Sequence, residues 1–551
     1  MILRGSILRS LGAGVILASA SLFTTSVNAA STPSGAVNTL NLSIPGPFNG
    51  CTVLDPGATP TTSAILDLLR PSAFLTTSGG NLVGEGGAIT SAELVSLSPE
   101  TVTYTIAPDL HWSNGASFSG IDLVGWWLRA KQLASVQSDG YRDISSLAET
   151  NGGLTVTATF TKPYAEWNGL FRDVEALDTP SGCSWSDFLD RPSLGPYEVA
   201  SASANRFVLV ANKDWPLDPN RFARVVITDS SAIPDSPGAY FVGYSLNVNS
   251  ATVEAASAHP SISSHIGTSS LNAEITFAPS RPLTRSLAIR EALSLILIRQ
   301  NIINDLYGSV TFSPSVAQSA LYSQGQSAYP GGGGSGPSAQ STTTTVTSTT
   351  QSSSLVDCTV CAVDLLKKAG YYKTASGWFS ATGVQLTLRA AVGPTLLDKS
   401  VAALVLGQWR SDGVAVSSVS EGSDQLAAYA VASDQTDVAI FTRPTTTTAS
   451  FSARSYAGPA YPDSYPSGVR TSQLNSLYTS GVSIFNPVTA QATWLDLDQE
   501  VMSEFWVRPL FTAPSLVEWS NTIGQVYGSI SVQGLVDQVT GWGIVQPPSQ
   551  S

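Results

Sequence analysis

Charge is scarce in this chain. Asp, Glu, Lys and Arg make up 12% of its 551 residues, against roughly 25% in an average globular protein. The 27 Lys and Arg are outnumbered by 40 Asp and Glu, for a formal net charge of −13. An acidic chain with few basic runs excludes nucleic acid and anionic membrane as partners, because both need a positive field. Only three His occur, at His111, His259 and His265. They are scattered, with no HExxH and no Cys/His cluster, so no catalytic zinc site is encoded. The Gly-rich segment at 331–336 lacks the Lys-Ser/Thr that a phosphate-binding loop requires, and no GxSxG nucleophile elbow is present. Asp496, Asp498 and Glu500 are paired acids, but they sit on a helix-like run with ordinary charge spacing. The expectation is a protein that is not an enzyme and carries no cofactor or metal.

What the chain does have is apolar material. Hydrophobic residues make up 42% of it, enough for a large core in a chain too long for one compact domain. The first 29 residues read as a secretory signal. Arg4 and Arg9 supply the basic end, Leu11 to Phe23 a short apolar run, and Val27-Asn28-Ala29 the small-residue cleavage pattern. No Cys lies near that cleavage point, so no lipid anchor is read. No later run is long and apolar enough to span a bilayer. The mature chain is expected to be soluble and exported, periplasmic or extracellular. Export makes Cys51, Cys183, Cys358 and Cys361 candidates for disulfides, and four cysteines allow three pairings. Cys358 and Cys361 are close in sequence, as CTVC; two free thiols are the alternative.

The most patterned stretch runs from Val102 to Leu133. Val102, Tyr104 and Ile106 alternate with threonines, the period of a half-buried strand. Asn114-Gly115 marks a turn. Ser119, three residues before Asp122, resembles a capping box, and Leu123, Trp126, Trp127 and Ala130 then recur at helical spacing. Further strands are expected at Thr39 to Ile44, Leu154 to Phe160, Phe207 to Val210, Arg224 to Ile227, around Leu386 and Val414, and at Asp437 to Ile440. Helices are expected at Ser63 to Leu69, along a long amphipathic run marked by Leu287, Leu293, Ile296 and Ile303, at Asp364 to Gly370, Leu397 to Trp409 and Asp496 to Phe505. Arg290 within the long run is read as structural, pairing with carboxylates or carbonyls. Residues 329–354 are a Gly/Ser/Thr-rich low-complexity loop.

The wording of these elements resembles one family. Tyr104-Thr-Ile-Ala-Pro-Asp-Leu-His-Trp-Ser-Asn-Gly115 followed by Asp122-Leu-Val124 is similar to the signature of the family 5 extracellular solute-binding proteins, the oligopeptide-, dipeptide- and nickel-binding proteins of ABC importers. Leu54-Asp55-Pro56, Leu194-Gly195-Pro196-Tyr197-Glu198-Val199 and Asn212-Lys-Asp-Trp215 follow the family's order. So do Ile289-Arg290-Glu291-Ala292-Leu293, Arg299 to Ile303 and Leu365-Leu366-Lys-Lys-Ala-Gly370-Tyr371. Between 231 and 275 the chain departs from the family pattern.

The resemblance implies an α/β, two-lobe periplasmic-binding-protein-like fold with an extra subdomain in the first lobe. Its segments would be 30–60, 190–275 and 496–551 for the first lobe, 61–189 for the extra subdomain, and 276–495 for the second lobe. Cys51–Cys183 would then tie segments of one lobe, leaving Cys358–Cys361 as the second bridge. A solute, a peptide first of all, would be enclosed between the lobes and delivered to an ABC permease by a monomer. A sensor or surface interaction module on the same fold is the alternative. Candidate ligand contacts are Phe48, Asn49, Phe441, Thr442, Arg443, Phe451 and Tyr456. Peptide-binding members carry an acidic residue in the loop after Ile440, whereas Phe441 to Thr448 contains Arg443 as its only charge. Facing the cleft, Arg443 would suit an anion; facing solvent, it would mean nothing for binding. The aromatics fit core positions equally well.

Overall fold

In the computed structural model, residues 38–545 are described, apart from 47, 56–57, 181, 185–186, 218–221, 231–236, 331–356 and 447. The signal segment 1–29 and nearly all of the low-complexity loop fall outside them. The chain begins with β1 (Thr39–Ile44) and α1 (Pro60–Asp67), then β2 (Ile89–Leu97), β3 (Glu100–Ile106), α2 (Gly120–Ala130), β4 (Ile144–Thr150) and β5 (Thr155–Phe160). Next come β6 (Tyr197–Ser203), β7 (Arg206–Ala211), β8 (Arg224–Asp229), β9 (Phe241–Ser245) and the 16-residue β10 (Ile262–Phe277). Helices α3 (Leu287–Ile296), α4 (Arg299–Tyr307) and α5 (Thr359–Lys368) follow, then β11 (Thr387–Val392), α6 (Leu396–Ser411), β12 (Ala415–Ser420), α7 (Asp424–Ala432) and β13 (Val438–Pro444). The last third holds α8 (Ala449–Ala453), α9 (Ser472–Ser483), α10 (Pro487–Ser503) and the 14-residue β14 (Val507–Ser520).

Ten strands form one mixed sheet in the order β12-β11-β13-β10-β14-β9-β1-β8-β7-β6, and β2-β3-β5-β4 form a separate four-stranded antiparallel sheet. The centre of the large sheet is the long antiparallel pair β10 and β14. Their register is continuous from Ile262↔Ser520 to Thr268↔Pro514, breaks, and resumes from Asn272↔Thr512. On one side of the break β14 pairs with β9; on the other β10 pairs with β13.

The three largest cores among the described residues are built on this frame. Alternation in β1 sends Leu40, Leu42 and Ile44 into the first, with Phe207, Ile227 and Val517. In the second, Ile275, Phe277 and Leu510 meet Leu293, Trp409 and Ile440. Thus β14 supplies Val517 to one core and Leu510 to another. The third lies on the four-stranded sheet, where Val102, Tyr104 and Ile106 pack under Trp126, Val156 and Phe160. The expected turn is present, with Gly115 at φ +86°, a conformation only Gly reaches without steric cost. Asp122 accepts a hydrogen bond from the Ser119 N–H at 3.0 Å, closing the first turn of α2. Burying some dozens of such side chains, each contributing roughly 1.5–3 kcal/mol, offsets the entropy of ordering the chain.

Two expected helices differ. The long run from Leu287 to Ile303 is two helices, because Leu297 (ψ 126°) and Ile298 (ψ 91°) are extended. Tertiary partners hold the break: the Ile298 N–H donates to the Gln408 side chain at 2.7 Å and the Arg299 N–H to Asp357 at 2.8 Å. Leu287, counted on the apolar side, is 40% exposed. The run from Asp496 is the end of a helix that begins at Pro487, capped by Asn486. Asp498 on it is buried and accepts the Ala320 and Leu321 N–H groups at 2.8 and 3.1 Å. Arg290 is buried too, with its guanidinium donating to the carbonyls of Glu504 (2.7 and 2.9 Å) and Thr284 (2.8 Å).

Disulfides join Cys51 to Cys183 and Cys358 to Cys361, with Cα separations of 5.6 and 5.2 Å. The first spans 132 residues. Closing a loop of that length in the unfolded chain is worth about 4–5 kcal/mol on the chain-entropy model. The Cys51→Ser/Cys183→Ser variant is therefore expected to lose about that much stability in urea unfolding, with the Cys358–Cys361 bridge still seen in a non-reducing peptide map.

Candidate functional site

A cavity of about 430 Å³ opens where the β10–β14 register breaks, within the range of small-molecule sites, roughly 300–1,000 Å³. At the break Ser270 leaves the β14 ladder. Its N–H donates to the Ile530 carbonyl at 2.6 Å, and its own carbonyl accepts the Thr445 N–H at 2.7 Å. Ser270, Thr445 and Ile530 all line the cavity. One wall comes from the turn after β1 and the start of α1, with Pro45, Thr59 and Thr61. Opposite contributions come from Thr442, Pro444, Thr448 and Phe451, and from Asp424 at the start of α7. Much of the polar lining is hydroxyl and amide: Thr and Ser side chains with Gln137, Gln326 and Gln533.

The third core presents a sharply bent segment to the same cavity. Phe171 and Asp173, on either side of Arg172, have φ of +54° and +49°. This left-handed backbone is costly for residues with a Cβ. Tertiary hydrogen bonds fix it: Phe171 N–H to the Tyr141 hydroxyl (2.6 Å), Asp173 N–H to Ser72 Oγ (2.8 Å) and Ala73 N–H to the Phe171 carbonyl (2.8 Å). Trp126 Nε1 donates to the Tyr141 hydroxyl at 3.0 Å, so α2 anchors the segment.

The charges at the cavity are compensated from within. Arg172 is 3.2 Å from Asp67 and 3.8 Å from Asp537. Desolvation and the neighbouring Asp67 push the carboxyls of Asp173 and Asp537 well above the usual range. Asp424 is raised to about 9 by desolvation and then by the adjacent Asp398. With its carboxyl at about 9, Asp424 holds a proton at neutral pH, so the cavity presents hydroxyls, amides, the Asp424 acid and the Arg172 guanidinium paired with Asp67.

The seven expected ligand contacts divide. Thr442 and Phe451 line the cavity; Phe48, Asn49, Phe441, Arg443 and Tyr456 do not. Strand alternation is the reason for two of the five: Thr442 and Pro444 of β13 face the cavity, so Phe441 and Arg443 point to the other side of the sheet. Phe441 stacks on Tyr465, with ring centroids 6.2 Å apart. Arg443 faces neither cleft nor solvent. It is 1% exposed, with Nε 3.1 and 3.2 Å from the two oxygens of buried Glu274, and its guanidinium lies 5.7 Å from the ring of Tyr456. Phe48 packs edge-on against Phe207 in the first core, at 5.3 Å. The Asn49 N–H donates to Thr62 Oγ1 at 2.8 Å, beside the α1 wall. Arg172, Asp173, Asp424 and the hydroxyl lining carried no motif and were not expected.

With this geometry in place, the comparisons with known proteins agree. The profile of the bacterial extracellular solute-binding proteins, family 5, matches residues 86–462. The chain belongs to that family. The oligopeptide-binding protein OppA of Mycobacterium tuberculosis is 29% identical over 168 residues, a stretch that spans 28% of this chain and 28% of that relative. The periplasmic EDTA-binding protein EppA superposes with a TM-score of 0.79 at 18% identity, covering 93% of this chain and 97% of that one. The oligopeptide-binding protein AppA of Bacillus subtilis, solved with a nonapeptide, superposes with a TM-score of 0.72 at 12% identity, covering 93% and 100%. The fold is the two-lobe α/β periplasmic-binding-protein fold.

Arg443 and Glu274 supply a direct test of the corrected reading. Arg443→Met strands a buried carboxylate, which typically costs about 3–5 kcal/mol. The expected result is a loss of that size in thermal or urea unfolding, largely recovered in Arg443→Met/Glu274→Met, where no charge is left unpaired.

Proposed function

We propose that this chain is an exported binding protein that captures a peptide in the cavity at the β10–β14 break and delivers it to an ABC permease. The observation that carries the reading is the lining: Thr and Ser hydroxyls, Gln amides and a protonated Asp424, with Arg172 paired to Asp67. Such a surface gives and accepts hydrogen bonds with peptide groups and, among the described residues, offers no free cation for an anionic solute. Withdrawal of Arg443 into its pair with Glu274 removes the group on which an anion reading would rest. Capture and release need no covalent step, so the protein acts as a monomeric carrier rather than an enzyme. Among the described residues no helix is long and apolar enough to cross a membrane, so contact with the permease would be made through the folded surface.

Native mass spectrometry of the chain purified from its own host is the first test. A peptide mass that is present under native conditions and lost on denaturation is the expected result; a bound solute of another class would overturn the peptide assignment. In the stripped protein, a peptide at a hundredfold excess over its dissociation constant should add about 2.7 kcal/mol to stability. A midpoint that stays fixed with every peptide pool would also sink the reading.

A further inference from the structure

Glu166 lies outside the cavity lining, on the short connection that leads from β5 to the bent segment 169–173. Its carboxylate reaches across to α8. The Ser450 N–H donates to Oε1 at 3.1 Å, and the Ser450 hydroxyl contacts Oε2. Ser450 stands between Thr448 and Phe451, two residues of the cavity wall. On the Glu166 side, Gly169 belongs to the wall as well, and a Cβ placed on it would meet Thr448 Cγ2 at 3.5 Å. Three more ties run along the same seam: Ala165 N–H to the Val482 carbonyl at 2.7 Å, Ser135 Oγ to Asp463 at 2.6 Å, and Arg454 Nε to Asp139 at 2.5 Å. Each joins segments about 280 or more residues apart in sequence.

We propose that Glu166 is a positioning residue for the ligand: by gripping Ser450 it sets Thr448 and Phe451 in the cavity wall. The proposal rests on the reading of the cavity as the ligand site. The groups facing Glu166 are Asp139 and Tyr164 on its own side, Arg454 and Tyr478 from α8 and α9, and Tyr322. Desolvation raises its carboxyl to about 7; Asp139 adds to this, while the Ser450 bonds and Arg454 oppose it. Released from the seam, the carboxyl returns to about 4.5. Between these values gripping takes up a proton: the grip is strongest below about pH 4.5, weakens as pH rises toward about 7 and is level above it. When protonated, the acid donates to Ser450 Oγ while its other oxygen keeps the amide, so both bonds survive.

The test compares wild type, Glu166→Gln and Glu166→Ala. Hydrogen exchange of the 448–454 amides in the ligand-free protein reads the grip, after correction for the intrinsic pH dependence of exchange. A pool of uncharged tripeptides reads binding. Wild type is expected to lose about tenfold in protection and in tripeptide affinity between pH 6 and pH 8, as a shift from 4.5 to about 7 dictates. Glu166→Gln, which keeps both hydrogen bonds without titrating, should hold protection and affinity flat across that range. Glu166→Ala should lose protection at every pH. A Gln variant that follows the wild-type pH curve, or an Ala variant that keeps full protection, would overturn the proposal. If wild type binds no tripeptide at any pH, the peptide reading falls by itself, and the exchange pattern still decides the role of Glu166.

Discussion

The antiparallel pairing of β10 with β14 is the constraint on which the rest depends. These strands are 16 and 14 residues long, and β14 alone contributes to both the first and the second core. An unbroken ladder would make one stiff sheet with no room at its centre. The register break between Thr268 and Asn272 supplies that room. Backbone groups freed from a ladder must find partners elsewhere, and Ser270 finds them on Thr445 and Ile530. The cavity is thus the place where the sheet changes neighbours, from β9 on one side to β13 on the other.

A chain poor in charge has put many of its charges inside. Arg443 pairs with Glu274, Arg172 with Asp67, and Arg70 and Arg191 share Glu175. Buried pairs cost desolvation that their attraction only partly offsets, so net stability is a weak reason for them. What they do is join distant stretches in one geometry, since a charge left without its partner is far more costly than the pair. Glu274 and Arg443 are 169 residues apart and lock β10 to β13 next to the cavity. With these arginines engaged in pairs, hydroxyls and amides make up much of the polar cavity wall.

The third core reaches the site through a short segment. Tyr141 and Trp126, deep in that core, hold the left-handed turn at Phe171 and Asp173. The same subdomain also touches α8, the segment around Asp463 and α9 along a polar seam of carboxylate, hydroxyl, arginine and backbone groups. The cavity is therefore bounded by surfaces whose positions are set by all three of these cores, which is why residues at 59, 172, 270, 442 and 530 can line it together.

Period and capping are local physics, and so they were legible. The alternation of Leu40, Leu42 and Ile44, the turn at Gly115 and the cap at Asp122 each follow from a few neighbouring residues. The order of motifs placed the chain in its family. The break at Leu297 and Ile298 was not legible, because the side chains that hold it, Gln408 and Asp357, lie 110 and 58 residues away. The site followed the same division. The sequence by itself pointed to the strand Asp437 to Ile440 and to the residues after it as a loop; in the structure the strand runs on to Pro444, and its period sets Phe441 and Arg443 on the far side from Thr442. Only the tertiary structure decided that Glu274 waits there for Arg443, and that Arg172, Asp173 and Asp424 come to the cavity, because burial and charge compensation are made by residues that no local pattern connects.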